Sequence, residues 1–293
     1  MQNTVTVVHD PFAGPAIEKI IPIIQAQAEI WIACKFGGED ASRSYNESVS
    51  LILKGELQRE ALGYAAQQLV ARHEALRSTF SPDGRFMTVF KEISQNIIFK
   101  DFSLGSAADK KKAVQDYLSE DAHYVFDLIK GPLLKIGLLK LSEQEHQLVL
   151  TAHHIICDGW STGIMLEEIS AFYSAHVLGA TPNVAPPDTF SSFASEEQEY
   201  MNSDAYIETE QYWLKQYESS LPTVSLPTDF PRPELRTFKS NRLDFPIDLE
   251  LVSALKKVGI KSGASFVVTL MAAFEVFLYR QTGQDDLVLG LPA

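Results

Sequence analysis

The sequence predicts an α+β fold, and three observations carry that prediction. Strand-like and helix-like segments alternate irregularly, without the repeated strand–helix–strand order of a parallel sheet. Two pairs of strand signals lie close together, at 78–90 and 133–151, each around a polar turn, as antiparallel hairpins require. The 293 residues, 45% hydrophobic and 22% charged, suffice for one large or two medium domains, and a proline-rich stretch at 221–233 offers a place to divide them.

Residues 1–15 hold two prolines and little periodicity, and read as a lead-in or linker. Ile23–Lys35 has apolar residues near helical spacing. Asn46–Lys54 alternates toward Val49, Leu51 and Leu53 as a strand that Gly55 ends. Glu56–His73 reads as an amphipathic helix with Ala61, Tyr64, Ala65 and Leu69 on its stripe. Ser78–Phe80 and Phe86–Phe90 flank Pro82-Asp83-Gly84, whose proline fixes one backbone angle and whose glycine tolerates the turn. Ala107–Glu120 is a polar helix. Leu133–Leu141 and Gln147–Thr151 form the second hairpin around Ser142–His146. Ser161–Leu178 is a helix with Thr162 as its cap, a stripe of Ile164, Ile169, Phe172 and Val177, and Gly179 as its stop. One polar helix is expected over Phe190–Tyr217. Beyond the prolines come a strand, Asn241–Phe245, two helices, Leu249–Lys257 and Ala264–Gln281, and a final strand-like run, Leu287–Ala293.

Lys plus Arg is 25 against 38 for Asp plus Glu, a net charge of −13. An acidic surface repels nucleic acid and anionic membranes, so neither is an expected partner. Two cysteines, Cys34 and Cys157, are too few for a disulfide framework or a cysteine-rich metal site, which points to a reducing cytoplasm. The N-terminus lacks the basic and apolar regions of a targeting segment. The most apolar stretch, Ala264–Tyr279, is interrupted by Glu275 and reads as a buried helix rather than a membrane span.

The chemistry concentrates in His153-His154-Ile155-Ile156-Cys157-Asp158-Gly159, between a strand and a helix. An imidazole exchanges protons near neutral pH. Adjacent residues of a strand point to opposite faces, so only one histidine can serve a given pocket. Taken alone, these residues also fit two core histidines beside an Asp-Gly turn. A metal would need a further ligand, and no GxSxG elbow supports a serine triad.

This heptapeptide resembles the HHxxxDG signature of condensation domains of non-ribosomal peptide synthetases. The resemblance extends over the chain. Gln25-Ala26-Gln27 with Trp31 is similar to the family's first motif, and Arg72-His73-Glu74-Ala75-Leu76-Arg77-Ser78-Thr79-Phe80 to its RHExLRTxF motif. Phe126-Asp127-Leu128, Gly131-Pro132-Leu133-Leu134 and Leu226-Pro227-Thr228-Asp229-Phe230-Pro231-Arg232-Pro233 follow in the family's order.

What the resemblance implies is a chloramphenicol-acetyltransferase-like N-terminal lobe over 16–220, a linker over 221–233, and an incomplete start of a similar C-terminal lobe over 234–293. A chain ending there is expected to be inactive alone. The implied reaction is amide formation between a carrier-bound acyl or peptidyl thioester and a carrier-bound aminoacyl acceptor. His154 is the implied catalytic residue. Gly159 is a tight-turn residue and a backbone donor near the thioester oxygen. His153 shapes the loop, and Asp158 is expected to bind Arg77 or, failing that, Arg72, because a planar guanidinium suits a carboxylate. Trp160 and Ser161 are expected to pack at the start of the helix. No cofactor or metal is expected on the chain itself; phosphopantetheine arms arrive on donor and acceptor carrier domains. An adenylation domain is an expected neighbour, and Glu29–Ser48 resembles condensation domains that follow polyketide synthase modules. An epimerisation domain, which shares HHxxxDG, and a non-catalytic carrier-binding module are the alternatives. A cyclisation domain would carry aspartate in place of His153, and a free-standing CoA-dependent acyltransferase would share only HxxxD.

Overall fold

The computed structural model describes residues 14–219, 221–234, 237–238, 240 and 243–291. The chain packs as two compact units that meet in sequence between Asn202 and Ser203.

The first unit contains β1 (Ile17–Pro22), α1 (Gln25–Ser44), β2 (Asn46–Lys54), α2 (Arg59–Arg72), a single 3-10 turn (Ala75–Arg77), β3 (Ser78–Phe80), β4 (Phe86–Phe90), β5 (Ile97–Asp101), α3 (Ala107–Ala122), β6 (Leu134–Ser142), β7 (Glu145–His153), α4 (Gly159–Leu178) and α5 (Phe190–Met201). One sheet has the strand order β1-β4-β3, and the other β2-β7-β6-β5. All pairs are antiparallel except β5 with β6.

Register explains how the larger sheet is buried. Leu134 pairs with Ala152, Ile136 with Leu150 and Leu138 with Leu148. These side chains share one face and join Leu62, Ala66, Leu69, Met165 and Ile169 in the main apolar cluster, so α2 and α4 cover that face. On the other face a Cβ at Gly137 would collide with the Tyr117 hydroxyl, and Asp121 bonds Lys135 at 2.8 Å; α3 therefore lies there. Central strands covered on both sides need apolar residues at nearly every position, which is why 133–151 reads as two apolar runs.

The second unit contains α6 (Asp204–Gln216), α7 (Leu249–Lys261) and α8 (Phe266–Thr282). Serines 203 and 265 cap α6 and α8, each accepting a backbone N–H from three residues on. Among the described residues no single helix is long and apolar enough to cross a membrane.

Several expectations change. The strands β1 and β5 were not anticipated. The first helix runs on to Ser44, with a break at Gly38, where φ is 65° and the helical ladder is interrupted. Phe190–Tyr217 is two helices, because Ser203 starts a new one. Asp158, not Thr162, caps α4, which begins at Gly159. The buried stripe of α2 is Ala61, Leu62, Ala65, Ala66, Leu69 and Val70, with Tyr64 exposed. That of α4 uses Met165, Glu168, Ile169, Phe172 and Ala175, leaving Ile164 and Val177 outside. Small alanines let α2 approach the sheet, so size rather than hydropathy sets the face. Residues 243–245 and 287–291 carry no strand; 241–242 and 292–293, and 1–13 of the expected lead-in, lie outside the described residues.

Candidate active site

The HHxxxDG loop leaves the end of β7 between the start of β2 and the start of α4. The last strand bonds are His153 N–H to the Leu133 carbonyl at 3.0 Å and His154 N–H to the Tyr45 carbonyl at 2.7 Å. Ile156 N–H then donates back to the His153 carbonyl at 3.0 Å and closes the turn. Gln27, from the first motif, donates its side-chain amide to the Ile155 carbonyl at 3.0 Å and ties the loop to α1. Phe126 meets the His153 ring edge-on, with centroids 6.1 Å apart.

The two imidazoles diverge as strand alternation predicts. His153 is 0% exposed. Its Nδ1 accepts the Ile155 N–H at 3.2 Å, so the ring proton resides on Nε2, 3.7 Å from Cys34 Sγ. Burial, with the neighbouring His154, pushes its pKa down to about 4, leaving it neutral near pH 7. A buried neutral ring with both nitrogens engaged is suited to holding the loop in shape.

The His154 side chain is 38% exposed. Its Nδ1 stands 2.6 Å from the Cys157 carbonyl oxygen, an obligate acceptor, so Nδ1 carries the proton. The lone pair of Nε2 is then free to accept a hydrogen bond or a proton. Tyr45 stacks on the ring with centroids 6.5 Å apart, and Glu47 Oε1 lies 3.2 Å from Nδ1.

Asp158 is not paired with Arg77 or Arg72. Its carboxylate caps α4, accepting the Ser161 N–H at 2.8 Å and the Ser161 hydroxyl at 2.7 Å. Those bonds hold its carboxyl below the usual carboxylate range. The 3-10 turn aims Arg77 elsewhere: it donates to Glu18 at 2.6 Å, to the Ala71 carbonyl at 3.2 Å and to the Phe90 carbonyl. Arg72 donates to Glu168 of α4 at 3.0 Å, and His73 meets the other oxygen of that carboxylate at 2.7 Å. Both arginines thus join elements around the site without reaching its loop.

Gly159 takes the first position of α4 and is absent from the glycines with positive φ, so the chain does not need a glycine there for a tight turn. Its N–H, like others in a first helical turn, has no acceptor within the helix. Trp160 is 85% exposed rather than packed. Cys157 is buried, which raises its thiol to about 12 and keeps it protonated.

Sequence reasoning missed Tyr45, Glu47 and Glu168, which reach the motif residues only through strand pairing and helix packing. It also missed the work of Glu74, a buried carboxylate that binds Lys19 at 2.7 Å and the Ser191 N–H at 2.7 Å, joining β1 to α5. The Asp158 cap had a visible signal: Asp-x-x-Ser before an apolar run has the spacing of a capping box.

The family model described as Condensation domain matches residues 17–293. Tyrocidine synthase 3 of Brevibacillus parabrevis is 32% identical over 284 residues, 96% of this chain and 4% of that protein. Malpinin synthetase of Mortierella alpina is 30% identical over 279 residues, 93% of this chain and 4% of that protein. The chain therefore spans a small part of the length of either. Among solved structures, the starter condensation domain of the rhizomide synthetase RzmA matches with a TM-score of 0.71 and 22% identity, over 94% of this chain and 63% of that one. The X-domain in its complex with OxyB from teicoplanin biosynthesis matches with a TM-score of 0.75 and 24% identity, over 91% of this chain and 59% of that one. At these identities the likeness shows the fold, which is α+β and of the chloramphenicol-acetyltransferase-like kind expected from the sequence.

Proposed function

This chain belongs to the condensation domain family, and from that premise we propose that it serves amide-bond formation between carrier-bound partners in non-ribosomal peptide synthesis. The donor is an acyl or peptidyl thioester and the acceptor an aminoacyl amine, each on the phosphopantetheine arm of a carrier domain. One observation carries the reading: His154 is half-exposed, and the Cys157 carbonyl commits its Nδ1 to a donor role, leaving Nε2 as an open acceptor. The neutral amine attacks the thioester carbon, and Nε2 hydrogen-bonds the amine or takes its proton. Tethering both substrates supplies proximity. The free N–H of Gly159 is a donor suited to the oxygen on which negative charge develops. His153 and Asp158 support the loop, one by packing and one by capping.

The reading places the chain in a cytoplasmic multimodular synthetase beside carrier and adenylation domains. The likeness of Glu29–Ser48 to domains after polyketide modules favours a hybrid assembly line. A non-catalytic binding module draws support from the X-domain, a protein of this fold solved with OxyB; the accessible His154 favours catalysis. In the full-length condensation domain, single-turnover product formation from loaded donor and acceptor carriers should fall about 10²–10⁴-fold in His154→Ala while the melting curve is retained. Full activity in that folded variant would remove His154 from the reaction.

A further inference from the structure

Two oxygens stand beside one nitrogen of His154, and the hydrogen bond of that nitrogen goes to one of them, the Cys157 carbonyl. The Cys157 carbonyl lies 2.6 Å from Nδ1, and Glu47 Oε1 approaches the same atom to 3.2 Å. Glu47 sits near the start of β2, directly opposite Ala152 in the ladder, two residues before His154. Its side chain is 32% exposed, and among the described residues its ion-pair partner is His154 alone. A carboxylate near the strand's start therefore faces the imidazole, which becomes its charge partner once protonated.

We propose that Glu47 is a positioning residue for His154, balancing the charge of the imidazolium that forms during condensation. The proposal rests on the reading above, in which His154 handles the acceptor amine's proton. The Cys157 carbonyl, an obligate acceptor, holds the ring proton at Nδ1. With the proton held at Nδ1, Nε2 is the acceptor. As the amine nitrogen bonds the thioester carbon, its proton passes to Nε2 and the ring becomes cationic beside Glu47. When the carbon–sulfur bond breaks, that proton leaves with the departing thiolate as a thiol, and the ring returns to its neutral Nδ1–H form. A carboxylate behind the distal nitrogen likewise stabilises the imidazolium of hydrolase triads.

The other titratable groups around the ring do not duplicate this role. The Asp158 carboxylate is engaged by Ser161 at the head of α4. His153 is neutral and turned inward, the Cys157 thiol is protonated, and Tyr45 presents its ring face.

The test measures single-turnover condensation in the full-length domain beside the melting curve of each variant. Glu47→Gln should lower the rate about 10–100-fold with its melting curve retained, the usual effect of losing a group that orients a functional histidine, and Glu47→Asp, which keeps the charge, should recover most of that loss. An unchanged rate in a folded Glu47→Gln domain overturns the proposal, as does an equal loss in Glu47→Asp. If His154→Ala also keeps its full rate, the functional reading has failed; if Glu47→Gln alone keeps it, this inference has.

Discussion

A difference of one position in β7 and its turn separates two histidines with opposite properties. His153 ends inside the core and His154 at the surface, because the extended chain sends successive side chains to opposite sides. The buried ring has a consequence for acid stability. Its folded pKa is about 4 against an ordinary 6.5, so between those values the unfolded chain binds a proton that the folded chain does not. Stability is thus fully present above about pH 6.5 and is lost as pH falls toward 4, by about 2–4 kcal/mol for this group. Melting temperatures measured across that window should decline, and His153→Gln, which removes the titrating ring, should flatten its share of the decline whatever its effect at neutral pH. An equally steep slope in both proteins would assign the acid sensitivity to other groups. The divergence of the pair was legible in the sequence, since it needs only local chain geometry. The neighbours of His154 were not: Tyr45 and Glu47 are about a hundred residues away in sequence and arrive by strand pairing.

Secondary-structure elements were legible where burial or turn chemistry acts locally. β3 and β4 declare themselves through the turn between them, where Ser81 Oγ donates to Asp83 at 2.6 Å and Gly84 adopts a φ of 66°. β6 and β7 do so through burial on both faces. By contrast β1 is six residues with charges at Glu18 and Lys19, and β5 ends in Lys100-Asp101. Both are defined by partners distant in sequence, β4 and β6, rather than by their own pattern. The same contrast governs Asp158. Expecting a buried ion pair for it would imply a loss of about 3–5 kcal/mol on truncation. As the cap of α4 it contributes less: Asp158→Ala should cost about 0.5–2 kcal/mol, measured by denaturant unfolding. Its effect should fade as pH falls through the lowered carboxyl pKa, because the protonated acid is a weaker acceptor for Ser161. A loss near ~4 kcal/mol would reinstate a buried partner. The buried charges lie instead at Glu168, which Arg72 meets across α2 and α4, at Glu74 with Lys19, at Asp121 with Lys135 and at Arg77 with Glu18.

At the scale of the whole chain, stability is distributed unevenly. The first unit holds both sheets and an apolar cluster drawn from α2, α4 and strands of both sheets. Among the described residues of the second unit only Gly259 and Leu278 are buried. Local opening costs least where few apolar contacts must be broken, so protease access should follow that difference. The described residues between α6 and α7 contain neither helix nor strand. Trypsin has Arg236, Lys239 and Arg242 to cut just beyond the expected linker at 221–233, where Arg232 is protected by the proline that follows it. Brief digestion should therefore cleave first between 217 and 248, and leave a resistant fragment that retains β7, the HHxxxDG loop and α4. Amide exchange should rank the same way, with β6 and β7 slowest and α8 fast. Early cleavage inside 130–180, while the chain near Arg236 is still intact, would contradict this order: it would mean that the segment carrying His154 opens before the stretch between α6 and α7 does, and that the site is not supported by the core to which its strand belongs.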